Sequence, residues 1–284
     1  MKDPQPCGSF ISSPSNSTNS SSESFMTKKE THYPEGWALV VGGSGGIGSH
    51  IVLELAQQGV NLCLTYNSNA ERAEDIAAQA RSYGVEVCAV QMTLQDAGSV
   101  AEIIDRQVAE LGRLHTVFIA TGYDIPQVKI ADLTPELWQR VLRSDAEGVF
   151  NLIHGTLPHL RDGGGGSYVH ISSAGLQKYP PFDILSVAPK AAIEELIKGV
   201  AKEEGPNHIR ANSIAIGVIE TGIFLRLQKE GVFDDNWVSS VKNALPLKRF
   251  GQPEEVARMA YFLGSDLAGY TTGQLIPVDG GYGL

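Results

Sequence analysis

The stretch Val41-Gly42-Gly43-Ser44-Gly45-Gly46-Ile47-Gly48 constrains this chain more than any other. It follows an apolar run, Trp37 to Val41, that reads as a short buried strand. It opens into Ser49 to Gln58, where Ile51, Val52 and Leu55 recur at helical spacing and Gly59 supplies a stop. A strand, a glycine-dense turn and a helix in that order aim backbone N–H groups and the positive helix end at one point, which suits a diphosphate. A Cβ would block both the tight turn and the close approach of such a ligand. A glycine-rich run by itself is an ordinary loop; flanked in this way it points to nucleotide binding.

The rest of the chain keeps the same alternation. Strands are expected at Val60 to Thr65, Val85 to Val90, Leu114 to Ala120, Ser167 to Ser172, Ile209 to Ile216 and Gln274 to Val278. Helices fall between them: Ala70 to Ser82, a Val100-Ile103-Ile104-Val108-Leu111 stripe, and Val187 to Glu204. A long helix is expected from Thr134 to about Leu160, with Thr134 as N-cap and Pro135 in the first helical position. Strands separated by helices of this length imply parallel crossovers, hence a Rossmann-type doubly wound sheet in three α/β/α layers, a single domain. The insert from Glu220 to Asn243 would overhang the carboxyl ends of the strands as a lid, at the edge where open α/β sheets bind ligands.

Composition excludes several functions. A net charge of −10 without a basic cluster argues against nucleic acid as a partner. No run of 18 apolar residues exists, so no membrane span is expected. Cys7, Cys63 and Cys88 have no paired spacing and read as reduced thiols of a cytoplasmic protein; no metal site is expected. Residues 1–33 read as a disordered tail, because Ile11 to Phe25 is almost all Ser, Asn, Thr and Pro, leaving 34–284 as the folded domain. Asn16 and Asn19 begin glycosylation triplets, but no apolar signal segment precedes them.

Specific motifs add a family resemblance. Gly42, Gly46 and Gly48 match the Thr-Gly-x-x-x-Gly-Ile-Gly turn of the short-chain dehydrogenase/reductases, and Ser173 and Lys190 fall at the spacing of that family's catalytic Ser and Lys. Arg210-Ala-Asn-Ser, Thr221, Pro246 to Val256 and the closing Thr272 to Gly281 are also similar to the family. From Trp37 onward the chain resembles it throughout. The resemblance implies an NADP(H)-linked oxidoreductase of a small molecule, with Gly42, Ser44, Gly46, Ile47, Gly48, Asn67, Arg72, Gly122, Lys190 and Thr221 holding the cofactor. It also implies a homodimer or homotetramer, built on the outer faces of the two helices around Asp145 and after Lys190. Leu152, Ile153, Leu157, Ile193, Leu196, Ile197 and Val200 would supply those faces.

The departures from the pattern shape the chemistry. Val41 stands for the first Thr of the turn, Thr93 for the Asp that contacts adenine, and Ile119-Ala120-Thr121-Gly122 for Asn-Asn-Ala-Gly. Asp145 replaces the catalytic Asn, Ile216-Gly217 replaces Pro-Gly, and Ser186 replaces the Tyr of Tyr-x-x-x-Lys. In the family that Tyr is the general acid, a phenol of unperturbed pKa about 10 that a cation acidifies. A serine hydroxyl is a far weaker acid and shorter, so Ser186 reads more readily as a helix cap than as a catalyst. The catalytic set is therefore Asp145, Ser173, Lys190 and Ser186, with Asp145 and Lys190 either a structural ion pair or a charged pair holding a proton-delivering water. Asp145-Ala-Glu-Gly-Val-Phe-Asn151 resembles the corresponding stretch of peroxisomal-type dienoyl-CoA reductases, which also carry Asp and lack the Tyr. Tyr179 and Tyr123 are candidate substitute phenols.

The acid that selects NAD lies about 20 residues past the glycine turn. Here that region is Thr65-Tyr66-Asn67-Ser68, without an acid, and Arg72 follows within reach of a 2′-phosphate, which favours NADP(H). Two readings remain: a reductase of a conjugated alkene, iminium or carbonyl, or a fold retained for non-redox work as a cyclase, isomerase or non-catalytic subunit.

Overall fold

The computed structural model describes residues 31–122 and 125–284. The expected tail up to residue 30, and Tyr123, lie outside the described residues. Seven strands form one parallel sheet in the order β3-β2-β1-β4-β5-β6-β7. They are β1 (Trp37–Val41), β2 (Leu62–Tyr66), β3 (Val87–Gln91), β4 (Leu114–Ile119), β5 (Gly166–Ser173), β6 (Ile209–Ile216) and β7 (Leu275–Val278). The order reverses at β1 and β4, and the cleft above their carboxyl ends is where a doubly wound sheet receives a ligand.

Alternating side chains of the sheet feed two cores. Ala38 and Val40 of β1 pack with Ile51, Leu55, Ile76, Val256 and Leu263, so α1 (Gly46–Gln57), α2 (Ala70–Arg81) and α9 (Pro253–Gly264) cover one face. Trp37, Leu39 and Val41 point the other way, toward Ile104, Leu152, Ile153 and Ile197 of α3 (Ala97–Leu111), α5 (Gly148–Asp162) and α6 (Ile184–Glu203). Helix starts follow their sequence signals: Asn69 caps Arg72 N–H, Asp96 caps Ser99 N–H, and Thr134 caps Leu137 N–H of α4 (Pro135–Leu142). Gln252 and Glu255 close a capping box around Pro253 at the start of α9. The insert holds α7 (Gly222–Lys229) and α8 (Asp235–Ala244), gathered on Phe224 and Phe250 with Phe233 and Trp237 packed against them.

Four expectations need correction. The folded part begins before residue 34: Tyr33 is 5% exposed, donates from its hydroxyl to Tyr261 O at 2.8 Å, and sits 5.4 Å from the His115 ring. An aromatic with that much apolar surface belongs to the core, whatever the polarity of the residues before it. The long helix is interrupted, because Arg143–Glu147 is wound one residue wider, as a π turn, between α4 and α5. Helix α6 starts at Ile184 with Asp183 at its N-cap, so Ser186 is a first-turn residue and not the cap, and Pro189 lies beyond the first turn. Finally, the apolar residues assigned to the outer faces of α5 and α6 point inward. Leu152, Ile153, Ile193, Ile197 and Val200 are buried in the chain's own core, and Leu157 and Leu196 pack against it. They give no warrant for an interface between subunits.

Cys63 and Cys88 are register partners on β2 and β3, both free, and both set their sulfur toward Gln107 Oε1. Among the described residues no helix is long and apolar enough to cross a membrane, and no group of three or more His, Cys, Asp or Glu is placed to hold a metal.

Candidate active site

The glycine turn is built for close approach. Gly42 has φ +78°, a conformation a side chain resists, and its N–H donates to Thr65 Oγ1 at 3.2 Å. A Cβ on Gly48 would lie 2.1 Å from Gly42 O, so α1 can rise directly from the turn only with glycine there. A Cβ on Gly46 would meet Thr221 Oγ1 at 2.7 Å and Gly222 N at 2.9 Å, so the root of the lid rests on the turn. The turn opens on a hollow of about 260 Å3 that also takes in Thr65, Asn67, Thr93, Gly122 and Asp145. Of the residues assigned to the cofactor, the hollow brings together Gly42, Ser44, Asn67 and Gly122. Gly46 and Thr221 face each other beside it, while Ile47 packs into the core below. Thr93, at the position of the family's adenine-contacting Asp, donates to Asn67 Oδ1 at 3.1 Å. Arg72, in the first turn of α2, is exposed and does not line the hollow.

The π turn positions Asp145. Gln95 Nε2 donates to Ser144 Oγ at 2.9 Å, and Asn151 Nδ2 donates to Leu94 O at 2.9 Å, clamping both ends of the stretch to the loop after β3. A Cβ on Gly148 would sit 2.8 Å from Leu94 Cβ, so glycine lets the helix close onto that loop. The widened turn directs Asp145 into the hollow, 7% exposed. Such turns recur at functional sites. Burial raises the Asp145 carboxyl above its ordinary pKa, and the Lys190 charge pulls it part of the way back. Of the two arrangements open to Asp145 and Lys190, the direct ion pair is not formed: neither a hydrogen bond nor a salt bridge joins them among the described residues.

A second cavity, of about 610 Å3, lies under the lid. Ser173 lines it and accepts from Gly175 N–H at 3.0 Å. Sequence reasoning missed two residues here. Asp183 projects into the cavity, and Gln127 Nε2 donates to its Oδ1 at 3.1 Å. Burial raises its carboxyl, opposed by the Gln127 hydrogen bond, the Lys190 charge and the Ser186 hydroxyl. Tyr282 enters from the chain end, where Asp279 accepts from Gly281 N–H at 2.8 Å and Gly283 N–H at 2.9 Å. Burial, with the Asp183 charge nearby, raises its phenol. Tyr179 is exposed and lines no part of the cavity. The spacing Asp183, Ser186, Lys190 sets all three on one helix face and was a readable signal for Asp183.

A doubly wound sheet with a glycine cradle at its switch point, Asp145 in the same hollow and Ser173 in the cavity under the lid, defines an oxidoreductase of the dinucleotide-binding class. Residues 42–283 match the family described as enoyl-(acyl carrier protein) reductase. The versicolorin reductase of Emericella nidulans is 32% identical over 250 residues, covering 86% of this chain and 94% of that protein. The 3-oxoacyl-[acyl-carrier-protein] reductase FabG of Staphylococcus aureus is 31% identical, covering 86% of this chain and 96% of that one. Among solved structures, a short-chain type dehydrogenase/reductase from Mycobacterium ulcerans superposes with a TM-score of 0.83 at 28% identity, covering 88% of this chain and 90% of that one. The carveol dehydrogenase of Mycobacterium avium, solved in complex with NAD, shares the fold at a TM-score of 0.84 and 23% identity, covering 89% of this chain and 99% of that one. The chain belongs to the short-chain dehydrogenase/reductase family and is an oxidoreductase enzyme.

Proposed function

We propose that this enzyme is an NADPH-dependent reductase of a small organic molecule bearing a conjugated alkene, iminium or carbonyl group. The observation that carries the reading is Asp145, buried where the glycine cradle ends and within the field of Lys190. The cradle fits a dinucleotide, since Gly42, Gly46 and Gly48 leave open the space that side chains would fill. Bound NADPH supplies a hydride. Ser44, Asn67, Gly122 and Thr221 would hold the cofactor, and the acid-free end of β2 together with Arg72 favours its 2′-phosphate. Ser173 would orient the organic substrate from the cavity floor. Asp145, with the Lys190 charge acting on it, would hold a water that passes a proton to the product.

The free thiols of Cys63 and Cys88 suit the cytoplasm. Self-association into dimers or tetramers remains part of this reading on family grounds alone; light scattering at micromolar concentration measures it. The function itself is tested by fluorescence titration with NADPH and NADH, followed by NADPH oxidation against ketones, enones and iminium ions. NADPH binding and turnover with one of these classes is expected. A wild type that binds no NADPH, or that converts a substrate without oxidising it, would leave the non-redox alternative standing.

A further inference from the structure

We infer that the cavity under the lid is an organic-cation site, in which Asp183 and the surrounding aromatic wall select an iminium ion as the substrate. The inference rests on the reductase reading above and narrows its substrate class.

Asp183 supplies the only formal charge among the described residues lining the cavity. Around it stand Phe182, Phe233, Trp237 and Tyr282, with Phe233 and Trp237 stacked at 3.8 Å and 9°. A carboxylate faced by aromatic rings attracts a cation from both sides, through charge and through the ring quadrupoles. The charged and titratable groups acting on Asp183 are Lys190 farther along α6 and Tyr282 from the chain end, with Gln127 and Ser186 as neutral partners. Among the described residues, the Lys190 charge acts on both Asp183 and Asp145, so the two carboxyls share one base. The backbone also commits to this arrangement. Phe182, immediately before Asp183, has φ +70°, a conformation that is costly for a bulky aromatic and that persists only where its surroundings impose it.

The chemistry agrees with the missing phenol. Reduction of a neutral carbonyl or alkene consumes a hydride and a proton, and the residue at the phenol position, Ser186, offers only a weakly acidic hydroxyl. Reduction of an iminium ion consumes the hydride alone. The new C–H bond forms at the iminium carbon, the C=N π pair withdraws onto nitrogen, and a neutral amine results; the dihydronicotinamide is oxidised and no acid is needed. The carboxylate then serves as a counter-ion, holding the cationic nitrogen while the carbon faces the cradle. A volume of about 610 Å3 admits a molecule of two or three fused rings.

The test uses the full-length protein and three probes: N-methyl-3,4-dihydroisoquinolinium, its saturated ammonium product, and the neutral ketone 1-tetralone of similar shape. Binding is followed by calorimetry with and without NADPH, and turnover by NADPH oxidation. Both cations should bind, and the iminium should be reduced faster than the ketone. Asp183→Asn should weaken cation binding by roughly 10-fold or more, the scale of one partly desolvated charge pair, with NADPH affinity and melting temperature held. Trp237→Leu, which leaves every charge in place, should also weaken the cations more than the ketone. Equal affinity for the ketone and the cations, an unchanged cation affinity in Asp183→Asn, or a wild type that binds neither cation at millimolar concentration overturns the proposal. Cation binding that survives in a protein unable to bind NADPH would overturn the reductase reading alone and leave the cation site intact.

Discussion

Replacing Asp145 with Asn separates what this carboxyl does for the fold from what it does for the reaction. The side chains are nearly isosteric, and the site is 7% exposed, so the change acts chiefly on charge. Were Asp145 paired directly with Lys190, the variant would leave an uncompensated buried ammonium and lose several kcal/mol. No such pair is present, and burial raises the Asp145 carboxyl. Each unit of that rise is about 1.4 kcal/mol of native-state destabilisation once the group ionises. The sign follows from proton linkage. A carboxyl raised on folding binds more protons in the native state between its unfolded pKa of 3.8 and its higher folded value. Its contribution to stability is complete below 3.8 and is lost as pH rises through the folded value. Asp145→Asn should therefore melt at or above the wild-type temperature at neutral pH, and the difference should shrink as pH falls toward 4. Turnover should respond in the opposite sense. Loss of positioned proton transfer costs ~100-fold, or about 2.7 kcal/mol of transition-state stabilisation, for a neutral alkene or carbonyl substrate. Calorimetric melting across pH, together with kcat and the NADPH dissociation constant of the variant, measures both. A variant that melts several degrees lower with turnover intact would refute the reasoning, because it would restore the structural ion pair and remove the catalytic role.

Arg72→Ala should narrow the preference for NADPH over NADH while leaving NADH binding unchanged, and equal wild-type affinities for the two cofactors would contradict the role given to Arg72. Ser186→Ala should reduce turnover less than ~10-fold, far short of a lost general acid; an inactive variant that still folds and binds NADPH would return Ser186 to the centre of the mechanism. Tyr33→Ala should destabilise the protein by about 3–5 kcal/mol through the cavity left in the core. Removing residues 1–30, whose composition offers little apolar surface, should leave the melting temperature in place, as denaturation scans of the two variants side by side will show.

The sheet was readable because its strands are short apolar runs and its helices carry stripes of one period, signals that do not depend on distant contacts. The boundary at Thr134 followed from capping chemistry that is local by nature. What escaped was set by contacts remote in sequence. The π turn adds one residue without erasing the apolar spacing on either side, so Thr134 to Leu160 looks continuous. The burial of Ile193, Ile197 and Leu152 follows from which side of each helix meets the sheet, and apolar residues on more than one side conceal that choice. Tyr33 is recruited to the core by Tyr261 and His115, far along the chain, against the character of the residues before it. Asp183 shares a helix face with Ser186 and Lys190 in the sequence, but its place in a cavity emerges only with Gln127 and Tyr282, from two other parts of the fold.

The contact between the lid's root and the glycine turn bears on kinetic order. Thr221 and Gly222 sit where a Cβ on Gly46 would project, and the helices that follow supply Phe233 and Trp237 to the cavity. Whatever settles the turn thus also settles one wall of the neighbouring compartment. Steady-state rates should accordingly follow a compulsory sequence, with the dinucleotide entering first and leaving last. A dead-end analogue of the organic substrate will then act as an uncompetitive inhibitor toward NADPH, and Gly46→Ala, by pushing on Thr221, should turn that pattern into a mixed one.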